Sequence, residues 1–366
     1  LWSVVEKTAL ADAEVEYQEH KSTTIYAKFP IAKTNLDKLN NHSIVIWTTT
    51  PWTIPGNRAL AVHNEIKYVS LNIRSENSNE DIIIAEGLVD NFLKENKILE
   101  SNVNFSLTGN ELLNTSCYHT LFKSGYDFMV PILHGDFVTT EQGTGIVHIC
   151  PVHGMDDFIL GKQHNLELPM TIDEGGIYYE HIPVFAGKHI FKVDPEVCDE
   201  IEKCNNLISK GQLIHSYPHS WRSKAPLVYK NTSQWFISME TNDLRKKALK
   251  AINETNFFPQ QGQNRLKKMI EDRPDWCVSR QRVWGVPLPI FVNKKSGEPL
   301  RDPKVIERIA KIYEAEGGDA WFNSEPSRFL NPDYNESDFE QVKDVVEVWF
   351  DSGSTHAYVL EGREDL

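Results

Sequence analysis

The sequence predicts a multi-domain chain, with a β-rich, barrel-like domain first and a partial α/β segment after it. Three observations predict this. Short apolar, β-branched runs punctuated by glycine, asparagine and proline fill residues 41–190. Apolar residues at helical spacing become common only beyond about residue 200. A length of 366 residues, 40% of them hydrophobic, is more often shared between two or three domains than held in one.

Residues 43–47 (SIVIW) run into Thr-Thr-Thr-Pro and read as a buried strand followed by a turn. Residues 68–73, 81–85, 130–133 and 145–150 carry the same strand signal. Asp194-Pro195 opens a helix running towards Asn205, with a capping residue and a proline in its first turn. Further helices are expected over 242–252, 263–272 and 302–316. The last has Pro303 near its start, Gly317-Gly318 as its stop, and Val305, Ile309 and Ile312 at helical spacing. Residues 227–229, 235–238, 275–279 and 345–350 read as short strands among these helices, and that alternation is α/β in character.

Charge and cysteines bound the function classes. The net charge of −14 opposes a nucleic-acid partner when taken whole. Basic residues nevertheless cluster: Arg245, Lys246, Lys247 and Lys250 lie together, as do Arg265, Lys267, Lys268 and Arg273. A pair of solvated helix faces accounts for both clusters, so charge leaves the partner open. Cys117, Cys150, Cys198, Cys204 and Cys277 are odd in number, sparse and free of any C-x-x-C pair. That pattern argues against a disulfide framework or a cysteine zinc site and suits a reducing compartment. No run approaches the roughly 18 apolar residues of a membrane span. With Leu1 opening on mid-protein sequence, a cytoplasmic piece of a longer chain is expected.

Four segments carry chemistry. Residues 47–58 (WTTTPWTIPGNR) place the hydroxyls of Thr48, Thr49 and Thr50 at the end of a buried strand, with the Asn57 amide after a Pro-Gly turn. Such hydroxyls hold a water or an ester oxygen without acting as nucleophiles, since no base adjoins them. A Thr-rich strand end explains the same residues structurally. Residues 143–157 (GTGIVHICPVHGMDD) set Ile146, His148 and Cys150 on one strand face and Val147 and Ile149 on the other. Asp156 and Asp157 then fall in the first turn of a helix that follows Gly154. His148 is either a satisfied core histidine or the edge of a pocket. The helix-start carboxylate either complements the helix dipole or pairs with an ammonium group. A metal-assisted hydrolase using His148, His153 and Asp156 is the rival chemistry, although the histidine spacing matches no tight zinc motif. Residues 275–289 (DWCVSRQRVWGVPLP) are either a phosphate-binding turn or a packed connection. Residues 344–356 (DVVEVWFDSGSTH) read as a strand carrying Trp349 into a loop, where α/β sheets place ligands.

Together these segments resemble the isoleucyl-tRNA synthetases in order, spacing and wording over nearly the whole chain. WTTTPWTIPGN is similar to the Thr-rich editing motif in its isoleucine form, with Thr50 and Trp52 where valyl and leucyl relatives carry an arginine and an acidic residue. GTGIVHICPVHGMDD resembles the second editing motif. Residues 217–229 with 235–239 resemble the strand pair that returns from the editing domain to the catalytic core. DWCVSRQRVWG and VWFDSGSTH resemble the second half of the synthetase nucleotide-binding fold. The resemblance implies a connecting β-ribbon over 1–40 and an editing domain over 41–205. It implies return strands and helices over 206–274, then part of a Rossmann-type catalytic fold over 275–366, with a small insertion at 290–344.

For the site, the resemblance implies that Thr48, Thr49, Thr50 and Asp157 are catalytic, lining the ester and anchoring the α-ammonium. His148, Asn57 and Trp47 would bind substrate, His148 by admitting valine and refusing isoleucine, and Trp349 would contact isoleucine in the synthetic site. The implied activity is hydrolysis of valyl-tRNA(Ile), with no cofactor and no metal, inside a parent isoleucine–tRNA ligase that uses ATP and Mg. The expected partner is tRNA(Ile) and its mischarged ester, with no membrane contact, and a monomer is expected. HIGH-type and KMSKS-type adenylation signatures are absent from these residues, so adenylation by this stretch is not expected. A tRNA-binding scaffold without turnover is the alternative of another class.

Overall fold

The computed structural model describes residues 1–74, 79–361 and 363. It divides into two compact units, Leu1–Lys7 with Asp12–Asn231 and Thr8–Ala11 with Thr232–Leu366.

The first unit is built on one mixed ten-stranded sheet. Its strands are β1 (Val15–Lys33), β2 (His42–Thr48), β3 (Ala59–Val62), β4 (Lys67–Arg74) and β5 (Asn79–Ala85), then β6 (Glu100–Thr108), β7 (Ser116–Tyr118), β8 (Met129–His134), β9 (Val147–Ile149) and β10 (Leu207–Ser220). The hydrogen-bonded order is β9-β3-β8-β7-β1-β2-β5-β4-β6, with β10 attached to β1. Strands β2 and β5 pair in parallel, as do β8 and β3. Ile44, Val45 and Ile46 of β2 are all fully buried, so this strand is covered on both faces, as its unbroken apolar run requires. Val45 packs with Tyr26, Val69, Ile82, Ile84 and Phe92, and each such side chain contributes about 1.5–3 kcal/mol on burial. Strand β6 ends the path with mostly exposed residues, and its polar sequence (ESNVNFSLT) gives no apolar run to read.

The boundary differs from the expected one at 205. β10 returns antiparallel along β1, pairing Ala27 with Leu207 through to Val15 with Ser220, so the first unit continues to Asn231. Nor is residue range 1–40 a ribbon throughout: beyond Ile25, β1 pairs with β2 and then with β7 inside the main sheet. Residues 227–229 form no strand, only an isolated bridge between Val228 and Trp2. Within the segment 235–239, Phe236 and Ile237 pair with Cys277 and Trp276.

The second unit holds three two-stranded pieces: β11 (Phe236–Ile237) with β12 (Trp276–Cys277), β13 (Ser279–Arg280) with β16 (Val345–Val346), and β14 (Phe291–Asn293) with β15 (Phe339–Gln341). Helices α4 (Leu244–Glu254), α5 (Gln261–Glu271) and α6 (Pro303–Glu316) follow the expected positions closely; α1 (Val89–Glu95), α2 (Met155–Gln163) and α3 (Asp194–Lys203) lie in the first unit. Helix α6 starts as its sequence dictates. The Asp302 carboxylate accepts the Lys304 amide at 2.9 Å, Pro303 takes the first turn, and Val305 and Ile309 pack on Phe291, Trp321 and Phe329. Trp349 is not on a strand. β16 has only two residues because its partner β13 has two, and the chain then turns into helix α7 (Val348–Gly353).

Candidate functional site

β2 ends at Thr48, and the chain enters a buried 3-10 turn, Pro51–Gly56, before β3 starts at Ala59. β9 pairs antiparallel with β3, His148 opposite Leu60. Val147 and Ile149 pack with Ala59, Ala61 and Leu160, so the alternation of the strand aims His148 at the turn from the other face. The Gly-x-Gly before β9 is a packing device: Gly145 has φ of 69°, its carbonyl accepts Tyr68 Oη at 2.8 Å, and a Cβ there would lie 2.5 Å from Ala85.

A hydrogen-bond chain links the two segments. Asn57 Nδ2 donates to the Ala59 carbonyl at 2.9 Å, which orients the amide, and also to His148 Nδ1 at 2.9 Å. His148 therefore carries its proton on Nε2 and donates it to Thr53 Oγ1 at 2.8 Å, and the Thr53 hydroxyl donates to the Thr50 carbonyl at 2.8 Å. The Thr50 hydroxyl lies 3.3 Å from that of Thr53 and 3.2 Å from that of Thr48. Burial pushes the His148 pKa down to about 3, with His153 nearby adding to the effect, so the ring is neutral. With both nitrogens spent, His148 has no free nitrogen with which to act as a base. Thr49 is half-buried, and its hydroxyl has no hydrogen-bond partner among the described residues.

Asp157 lies two residues into α2, and its Oδ2 accepts the Cys150 amide at 2.7 Å, just beyond the strand that carries His148. Gly154 makes room for it: a Cβ there would stand 2.6 Å from Asp157 Oδ1. Burial raises the Asp157 pKa to about 6, against the pull of the Cys150 amide, and the Asp156 carboxylate raises it further. No cationic side chain pairs with Asp157 among the described residues. The site thus holds a largely buried carboxylate without a counter-charge among the described residues. Burial also drives the Cys150 thiol well above its ordinary range, which removes it as a nucleophile near neutrality.

His153 is spent as well. Its Nδ1–H donates to the Tyr229 carbonyl at 2.8 Å, and its Nε2 accepts the Thr171 hydroxyl at 2.6 Å, with burial lowering its pKa to about 4. Neither ring keeps a nitrogen for a metal, Asp156 is exposed, and no group of three ligating side chains exists among the described residues. Sequence reasoning gave no role to Thr53, the link between the threonine run and His148. It also passed over two braces of the turn: Tyr178, whose hydroxyl donates to the Trp52 carbonyl, and His119, whose Nε2–H donates to the Ile54 carbonyl at 3.1 Å. Both come from distant segments whose local sequence carries no signal of it.

The structure brings Thr48, Thr50, Asn57 and His148 into one network, and it ties Asp157 to the Cys150 amide, two residues along the chain from His148. It does not bring Trp47 there. Trp47 follows Val45 on the other face of β2, packed against the Tyr26–Val45–Val69 cluster. Trp349 lies in the second unit, 65% exposed on α7.

A family model described as tRNA synthetases class I (I, L, M and V) matches residues 1–365. The chain belongs to that family. This synthetase chain is 54% identical to the "Isoleucine--tRNA ligase" of Pelagibacter ubique (strain HTCC1062) over 100% of its own length and 41% of that protein. It is 47% identical to the protein of the same name from Gluconobacter oxydans (strain 621H), over 100% of this chain and 40% of that one. It therefore spans about two fifths of the length of these curated relatives. A solved structure described as "The crystal structure of GlLeuRS-CP1" aligns with 51% of the synthetase chain and 99% of its own, at 16% identity and a TM-score of 0.40.

Proposed function

We propose that the first unit of this class I synthetase chain is a proofreading hydrolase that cleaves valine from valyl-tRNA(Ile). The observation that carries the reading is the uncompensated Asp157 carboxylate, held by the Cys150 amide two residues along the chain from His148, the centre of the Thr48–Thr53–His148–Asn57 network. An aminoacyl ester brings its own cation, the α-ammonium, and Asp157 is the group that meets it. The unpartnered Thr49 hydroxyl, with Thr48 and Thr50 beside it, positions a water against the ester carbonyl. Positioning supplies much of the rate, because two reactants held in line react as one. Protein nucleophiles are not needed: His148 and His153 are saturated and Cys150 is protonated.

The need for such a site is energetic. Valine lacks one methylene of isoleucine, and a hydrophobic pocket gains only about 1–3 kcal/mol from it; the isoleucine enzyme is itself the standard example of this limit. A second pocket that excludes the larger side chain overcomes the limit, and the saturated, rigid His148 is suited to be its wall. The parent protein would be an isoleucine–tRNA ligase using ATP and Mg, with tRNA(Ile) as partner. The second unit would contribute part of its nucleotide-binding fold, with Trp349 facing isoleucine there.

The test is release of valine from valyl-tRNA(Ile), with isoleucyl-tRNA(Ile) and Asp157→Ala as controls. Release from the valyl ester alone, lost in the variant, is expected. Release that survives Asp157→Ala at the parent rate would overturn the assignment of the carboxylate, and tRNA binding without any turnover would favour a scaffold.

A further inference from the structure

Away from the threonine network, the second unit carries a cleft of about 440 Å³ where β11 leads into α4. Phe236, Ser238, Thr241, Asn242 and Lys247 line it. Phe236 is 58% exposed, an aromatic face left in water at the mouth of a cavity. Residues 244–271, which make up α4, α5 and their connection, carry seven basic side chains against two acidic ones, in a chain whose net charge is −14. Several of these cations are already engaged. Arg245 binds Glu240 at 2.6 Å and the Ile270 carbonyl at 2.6 Å, Lys246 binds Asp243 at 2.7 Å, and Lys250 reaches Glu254 at 3.8 Å. Lys247, Arg265 and Lys268 are exposed, and none pairs with a carboxylate among the described residues.

A bare aromatic face beside a bare cation, with hydroxyl and amide groups between them, is the pairing that unpaired nucleic acid selects: the base stacks and the phosphate meets the charge. A purely electrostatic surface would need no aromatic, and an apolar peptide would gain nothing from Lys247. We propose that this cleft holds one unpaired nucleotide of an RNA strand, its base on Phe236 and its phosphate on Lys247, with Arg265 and Lys268 engaging the neighbouring backbone. The proposal rests on the reading that the chain handles aminoacyl-tRNA, but assigns it a contact apart from the hydrolytic site.

Binding of a fluorescent, unstructured RNA oligonucleotide to the whole 366-residue chain tests this, measured by anisotropy over a salt series. Phe236→Leu is expected to weaken binding roughly tenfold through lost stacking. Lys247→Gln is expected to lower the slope of log affinity against log salt by about 0.7, one phosphate contact. Both side chains are on the surface, so unchanged melting curves separate lost contact from lost fold. Equal RNA affinity in parent and Phe236→Leu would overturn the nucleotide site. So would a parent that binds heparin or anionic vesicles but not RNA, since its partner would then be another polyanion. Valine release assayed on the same proteins keeps the two readings apart. A parent that binds RNA through Phe236 yet never releases valine sinks the hydrolase reading alone. Unimpaired valine release with RNA binding indifferent to both substitutions sinks the cleft alone.

Discussion

Replacing Asp157 with asparagine is expected to abolish hydrolysis and, above pH 6, to stabilise the fold. Burial moves this acid from 3.8 to about 6. Because the folded pKa lies above the unfolded one, ionisation at neutral pH costs stability; the cost is absent below about 3.8 and complete above about 6. The interval corresponds to about 3 kcal/mol, an upper bound for a group that is only mostly buried. Asparagine keeps an acceptor for the Cys150 amide and carries no charge, so between about pH 4 and pH 8 the variant should gain up to about 3 kcal/mol relative to the parent. Urea melts at the two pH values measure this. Activity runs the other way. A carboxylate with a pKa of about 6 is about 91% ionised at pH 7 and about 9% at pH 5, so kcat/KM for valine release in the parent should fall about tenfold between them. A variant less stable than the parent at pH 8, or a parent whose kcat/KM is flat from pH 7 to 5, would refute the reasoning.

His148→Ala removes the wall between Thr53 and Asn57, so isoleucine should be released along with valine; retained discrimination in the two-substrate assay would count against a sieve at that position. Gly154→Ala places a methyl 2.6 Å from Asp157 Oδ1, and displacement of the carboxylate should raise KM at least tenfold with the melting curve little changed. An unaltered KM would show that the carboxylate moves aside without consequence. A chelator added to the reaction should leave valine release intact, because both candidate histidines are bonded at both nitrogens; reversible loss would revive a metal.

What the sequence made legible was local. The Thr-Thr-Thr-Pro end of β2, the alternation of Val147, His148 and Ile149, and the helix start at Asp156-Asp157 all declare themselves within a few residues. The contacts that turn them into a site do not. Thr53 meets His148 across 95 residues, and Tyr178 reaches the same turn from farther still. Trp47 shows the cost of reading adjacency as proximity: a period of two separates it from Thr48 by the thickness of the strand. Trp349 shows that strand length is a property of the pair. Val345-Val346-Glu347-Val348 is a β-branched run, but β13 offers only two residues to pair with, and the rest coils into α7. β6 escaped notice for the opposite reason, since an edge strand needs no apolar alternation to hold its backbone bonds to β4.

The two roles proposed for the site fall on groups with different protonation behaviour. His148 titrates near 3 and His153 near 4, so both rings are neutral across the whole range in which the carboxylate changes charge. His148 therefore keeps its hydrogen bonds while Asp157 gains or loses its charge. On the proposed roles, selectivity set by His148 would be independent of pH, and affinity set by Asp157 would not. A protonated His148 would have to give up the bond from Asn57 to Nδ1, because that nitrogen would then be a donor facing a donor. The same amide that fixes the tautomer thus opposes the charge, and burial does the rest. Asp157 has no such arrangement: the Cys150 amide favours its anion, burial opposes it, and the balance falls close enough to neutrality for an arriving ammonium to decide it.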